Sequence, residues 1–289
     1  EPMAGQVWQL KQEMCEIGHR IWQKGFCAGN EGNHSVRISD DRVLCTPTGI
    51  SKGFLKPEMI LVCDMEGNQV DGNTKYRRTS EILVHLAIYK HRPDVKAVIH
   101  SHPPHATAFA ICNVPLPEGI HPEAEVFLGR VPTAEYATPS TPELPESIVK
   151  LIKPETNTVL MGNHGSVSFD ADLTGAYYKL EILDAYCRLL LLTHQLGSRP
   201  NVLNSDQMTE LLQVKQKFGF SDPRLTCAPE GCVGEVNEQC LATYDVIPTG
   251  AVCQTYGGPV EQTSNAPSED EFETLVQTIT DQIMADASK

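Results

Sequence analysis

AVIHSHPPHATAFA, residues 97–110, joins an apolar run to two prolines and then to an alanine-rich segment. The run, entered through Val95 and Lys96, reads as a strand, and Pro103 and Pro104 stop it because proline cannot donate to a ladder. Residues 104–112 follow as a short helix. Strand residues two apart share a face, so His100 and His102 project together from the strand end while Ser101 points the other way. Two rings so placed can reach one cation. A third imidazole completes the usual protein ligand set of a catalytic zinc site, and His164, in the tight turn GNHG (162–165), is the candidate. Histidine pairs also occur in strands as hydrogen-bonded structural residues, so the spacing alone leaves both readings open.

Upstream, Val7, Leu10, Met14, Ile17 and Ile21 recur at three and four residues, which predicts a helix over 5–24 ending near Gly25. HSVRI and RVLCT flank Asp40-Asp41 as a hairpin, and MILVCDM with QVDG flanks Glu66-Gly67-Asn68 as another. TSEILVHLAIYKHR reads as a helix with Thr79 near its cap and Ile82, Leu83, Leu86 and Ile88 available for burial. Downstream, a proline-rich connection over 113–142 carries a strand at 130–134, and a helix occupies 142–152. NTVLM and GSVSF are strands around GNHG, and 171–196 is a long helix without internal breakers. Hairpins with intervening helices argue for an α/β fold, a three-layer αβα sandwich with a largely antiparallel central sheet rather than a doubly wound parallel one.

This unit, residues 1–196, is the expected catalytic domain. Residues 197–267 are rich in Pro, Gly, Asn and Ser and read as an extension or linker with one helical piece near 205–218. Residues 268–289 carry Phe272, Leu275, Val276, Ile279, Ile283 and Met284 at helical spacing behind Ser268, an amphipathic helix whose apolar face needs a partner surface. The 23 Lys and Arg residues against 37 Asp and Glu leave a formal charge of -14, with no basic run to offset it, which argues against a nucleic-acid partner. No apolar run is long enough to span a bilayer and no signal arrangement opens the chain, so the expectation is a soluble intracellular protein. Cys45, Cys63, Cys112 and Cys187 sit singly in apolar segments and read as buried free thiols. Cys227, Cys232, Cys240 and Cys253 lack the CxxC spacing of a second zinc site.

Glu81 stands at the start of the 79–91 helix beside the hydroxyls of Thr79 and Ser80; free amides and hydroxyls there serve either as ordinary capping or as an anion site. The turns EGNHS and PTGIS add Asn33, Thr48 and Gly49. In the order GNHSVR, TPTG, TSE, HSHP and NHG, the chain over residues 7–196 resembles the class II aldolase/adducin family, and most closely its L-fuculose-1-phosphate aldolase branch. The resemblance implies a Zn2+ ion, or another divalent ion, on His100, His102 and His164, with Glu81 as acid/base. It implies phosphate binding by Asn33, Thr48, Gly49, Thr79 and Ser80, threonine replacing the first serine of the family's SSE motif. The implied reaction cleaves L-fuculose 1-phosphate or L-rhamnulose 1-phosphate to dihydroxyacetone phosphate and lactaldehyde, the metal stabilising the enediolate.

The family also contains 4-epimerases, dehydratases and decarboxylases of sugar phosphates, and the metal-free adducins, which are interaction modules; the retained histidines argue against the last. Where the aldolase pattern carries a catalytic tyrosine, this chain has His121 or Pro122, so His121 or one of Tyr136, Tyr244 and Tyr256 fills that role, or the aldehyde half of the substrate differs. The resemblance further implies a homotetramer with interfacial active sites. Residues 268–289 resemble an encapsulation peptide that docks on bacterial microcompartment shell proteins, so the expected location is the cytoplasm or such a compartment. His19, His34, His85, His91, His105 and His194 are read as structural.

Overall fold

The computed structural model describes residues 4–220 and 222–226. Among them, one eight-stranded sheet is built from β1 (Asn33–Arg37), β2 (Arg42–Cys45), β3 (Leu61–Asp64), β4 (Gln69–Asp71), β5 (Ala97–Ser101), β6 (Thr133–Ala134), β7 (Thr158–Met161) and β8 (Gly165–Asp170). The strands lie in the order β4-β3-β2-β1-β5-β8-β7-β6, and every pairing is antiparallel except β6 with β7. The helices are α1 (Ala4–Gln23), α2 (Ile82–His91), α3 (Pro104–Cys112), α4 (Glu143–Val149), α5 (Leu173–Gln195), α6 (Ser205–Lys217) and the short α7 (Pro223–Thr226). None of the described helices is long and apolar enough to cross a membrane.

Strand alternation sorts the core into two faces. Ala97 and Ile99 of β5 pack with Met14, Ile17 and Ile21 of α1 and with Ala176 and Leu180 of α5. Val98, one residue out of phase, joins Ile82, Leu86 and Ile88 of α2 and Ile148 of α4 on the opposite face. Helices on both faces of a mostly antiparallel sheet give the expected three-layer αβα sandwich. Each such fully buried Ile or Leu stabilises the fold by roughly 1.5–3 kcal/mol, and the alternation puts His100 on the α2 side, in phase with Val98. The α5 start is held by Asp172, whose carboxylate accepts from Gly175 N at 2.7 Å.

Three details differ from the sequence reading. Leu83 is exposed, because α2 turns Ile82, Leu86 and Ile88 inward. The 113–142 connection contains a π-helical turn at Ala124–Leu128 that no periodicity announces, since it is a single turn. Cys112 is exposed; Cys45, Cys63 and Cys187 are buried free thiols as expected.

The packed structure also continues beyond residue 196. Met208 and Leu212 of α6 are buried, and Arg224 donates to Glu118 and Glu125 at 2.8 Å each. The C-terminal amphipathic segment 268–289, the four cysteines from Cys227 onward, Tyr244 and Tyr256 lie outside the described residues.

Candidate metal centre

Three strand ends and one helix start meet at the site. β5 delivers His100 and, one residue past its end, His102. The β7–β8 turn delivers His164, with Asn163 in the left-handed region at φ 55°. Gly165 must lack a side chain, since a Cβ there would lie 2.6 Å from both His102 Cδ2 and Ser101 O. The antiparallel register sets Asn33 of β1 directly opposite His100, on the same face. Glu81 occupies the N-cap position of α2, one residue ahead of the first turn where the sequence places it, and its side chain makes no cap hydrogen bond. The carboxylate is thereby free to turn toward the histidines.

The three rings converge with centroid separations of 5.0, 4.7 and 5.0 Å. One ligand atom from each lies within 4.8 Å of the other two. His100 Nδ1 faces Ser166 O at 3.0 Å, and His102 Nδ1 faces Glu31 Oε2 at 3.2 Å. Both contacts require the proton on Nδ1, because a carbonyl and a carboxylate only accept. The two Nε2 lone pairs then face one another at 3.2 Å, with Glu81 Oε2 at 3.2 Å from His100 Nε2 and Glu81 Oε1 at 3.5 Å from His164 Nε2. Acceptor atoms gathered this closely repel unless a cation lies among them, and three imidazoles are the donor set of a catalytic zinc site. The residues therefore fit a divalent metal.

The electrostatics agree. Burial, acting against the Glu81 charge, holds His100 neutral with its pKa lowered to about 4, and burial lowers His164 as well. Burial alone would raise the Glu81 carboxyl; the Asn33 donor at 3.0 Å opposes it, and the group lies below the ordinary carboxylate range. Glu81 is thus ionised at neutral pH.

The remaining expected residues fall into two groups. Asn33 touches Glu81 directly, and Thr79 Oγ1 accepts from Glu81 N at 3.3 Å. Thr48 and Gly49 sit on an exposed loop that is stitched to the 77–79 segment by Thr48 N to Arg77 O at 2.9 Å and Thr79 N to Thr46 O at 3.2 Å. Ser80 is exposed beside them. His121 stacks on Tyr186 and faces Glu123 at 3.4 Å, and Tyr136 is exposed. His34 is structural as expected, hydrogen-bonded to Met14 O at 2.8 Å. Glu31 was not singled out from the sequence, although it lies in the same EGNHS turn; an acidic residue in a glycine turn carries no signal until its neighbour in space is known.

A family model described as Class II Aldolase and Adducin N-terminal domain matches residues 12–191. The chain is 35% identical over 178 residues to an L-fuculose phosphate aldolase of Methanococcus vannielii, covering 62% of this chain and 93% of the relative. It is 33% identical over 183 residues to a 3-oxo-tetronate 4-phosphate decarboxylase of Haemophilus influenzae, covering 62% and 85% respectively. A solved L-fuculose 1-phosphate aldolase superposes with a TM-score of 0.66 at 31% identity, over 73% of this chain and 97% of that one. The matched span contains both the strand end that carries His100 and His102 and the turn that carries His164, and the chain belongs to the class II aldolase and adducin N-terminal domain family.

Proposed function

We propose that the chain is a zinc-dependent aldehyde-lyase that cleaves L-fuculose 1-phosphate or L-rhamnulose 1-phosphate to dihydroxyacetone phosphate and lactaldehyde. The observation that carries this reading is the convergence of His100, His102 and His164 with the Glu81 carboxylate 3.2–3.5 Å from two of their Nε2 atoms. The three imidazoles hold the metal, and when bound it supplies Lewis-acid stabilisation to the oxyanion that develops on the substrate, its charge undiminished by neutral ligands.

Glu81 does the proton work. Resting as a carboxylate, it takes the proton of the hydroxymethyl carbon in the condensing direction, and by microscopic reversibility returns it to that carbon after cleavage. Cleavage breaks the C3–C4 bond and leaves its electron pair on C3, while the C4 hydroxyl proton passes, as the aldehyde forms, to the residue that fills the place of the family's tyrosine, His121 or one of Tyr136, Tyr244 and Tyr256. The stitched 46–49 and 77–80 segments, with Thr48, Gly49, Thr79, Ser80 and Asn33, offer amides and hydroxyls to the phosphate. The homotetramer implied by the resemblance belongs to the same proposal.

A second reading has its own support. The Haemophilus influenzae relative is named for a decarboxylase, and this sequence places His121 or Pro122 where the aldolase pattern has its tyrosine. A 3-oxo-tetronate 4-phosphate that loses its carboxyl group leaves the same three-carbon enediolate as a ketose 1-phosphate that loses its aldehyde. Loss of CO2 needs no donor to an aldehyde oxygen. Incubation of the zinc-loaded protein with each of the three substrates separates the readings. Dihydroxyacetone phosphate with lactaldehyde from L-fuculose or L-rhamnulose 1-phosphate is the expected result; product from the tetronate alone establishes the decarboxylase instead.

A further inference from the structure

We propose that His85, read from the sequence as a structural histidine, is a positioning residue for Glu81 that acts through Asn33. The inference rests on the reading of Glu81 as the acid/base. Glu81, His85 and Tyr89 are spaced four apart at the start of and along α2, and Asn33 and Ser35 are spaced two apart on β1. Four helical residues rise about 6 Å and two strand residues about 6.6 Å, so the two rows run in step. Their side chains interlock. Asn33 Nδ2 donates to Glu81 Oε2 at 3.0 Å, Asn33 Oδ1 faces His85 Nε2 at 2.6 Å, and His85 Nδ1 faces Ser35 Oγ at 2.8 Å. Ser35 Oγ in turn lies 2.8 Å from the Tyr89 hydroxyl.

The donor at each step is fixed by its neighbours. The Glu81 carboxylate accepts, so Asn33 presents its amino group there and its carbonyl to His85. His85 must then carry its proton on Nε2, and its bare Nδ1 accepts from the Ser35 hydroxyl. The carboxylate thus sets which way the Asn33 amide faces, and the contact of its Oδ1 with His85 Nε2 at 2.6 Å anchors it there. His85 is fully buried, Tyr89 is 1% exposed and Ser35 is 0% exposed. Burying three polar side chains costs free energy that a row of apolar residues would not, and full pairing offsets that cost while making the row rigid. Burial also keeps His85 neutral, its pKa lowered to about 3, so the arrangement persists through the working pH range. The row ends on the one oxygen of Glu81 that faces His100, which holds the carboxylate in a single orientation at the site.

The test follows exchange of the hydroxymethyl protons of dihydroxyacetone phosphate in D2O, on the full zinc-loaded chain, because this isolates the step given to Glu81. His85→Leu should slow the exchange about 10- to 100-fold with zinc affinity unchanged. His85→Gln, whose amide can donate from the place of Nε2, should restore most of the rate. In a Glu81→Gln background His85→Leu should add nothing, because both act on one group. The histidine 15N spectrum of the wild-type protein, which needs no variant, should show a neutral ring with the proton on Nε2.

Unimpaired exchange in His85→Leu while Glu81→Gln is inactive overturns the inference and spares the proposed function, as does a loss that multiplies in the double variant or a ring protonated on Nδ1. Full exchange in Glu81→Gln overturns both.

Discussion

Among the described residues, the cluster around Arg224 and the cluster around His100 are built on opposite terms. Around Arg224, three cations (Lys215, Arg224 and Arg130) face three carboxylates (Asp222, Glu118 and Glu125), with contacts of 2.8 Å throughout. Every charge there has a counter-charge from the chain itself, and burial notwithstanding, Arg224 and Lys215 hold Asp222 down to about 2. The cluster fastens the 215–224 segment to the 118–130 connection and asks for no ligand. At the His100 site the bookkeeping does not close: three imidazoles and a carboxylate converge, and the Nε2 lone pairs of His100 and His102 face one another and Glu81 with no cation of the chain between them. Compensated charge marks a clasp, and converging lone pairs mark a binding site.

That contrast can be broken from either side. His102→Ala removes one of the three proposed ligands, and turnover should fall roughly 1,000-fold or more along with stoichiometric zinc, read by elemental analysis and a dihydroxyacetone phosphate assay. Glu81→Gln should keep the metal and lose the proposed proton carrier, so turnover should drop about 100- to 10,000-fold at unchanged zinc content. Arg224→Met leaves Glu125 and Asp222 buried without their main partner. It should cost about 3–5 kcal/mol in denaturant unfolding, with zinc affinity intact; a variant that loses metal instead would erase the distinction between clasp and site. Glu31→Gln removes the acceptor that orients His102, and zinc affinity should weaken about 10- to 100-fold in a chelator competition.

Much of this was legible beforehand because it rests on short-range physics. The alternation through Val98 and His100, the proline stop after His102 and the helices α1, α2 and α5 appear in the structure as read, although Leu83, Ala185, Leu189 and Leu192 of the expected apolar stripes are exposed. The convergence of the three histidines was legible because two of them are neighbours in sequence and the third sits in a tight glycine turn. What escaped depends on contacts between distant segments. His85 looks like any core histidine until β1 is laid under α2, and the 81, 85, 89 spacing means nothing without the 33, 35 spacing opposite. Glu31 needs His102 beside it. The continuation of packing beyond residue 196 escaped for another reason: α6 carries only Met208 and Leu212 into the core, too few to lift a Pro- and Asn-rich stretch above the look of a linker.

The proposed centre is three imidazoles closed on one divalent ion. Calorimetric titration of the metal-free chain with Zn2+ tests it most directly. One ion per chain, bound with release of heat and lost in His102→Ala, is the predicted result; no saturable binding, or binding that survives removal of His102 undiminished, would contradict it.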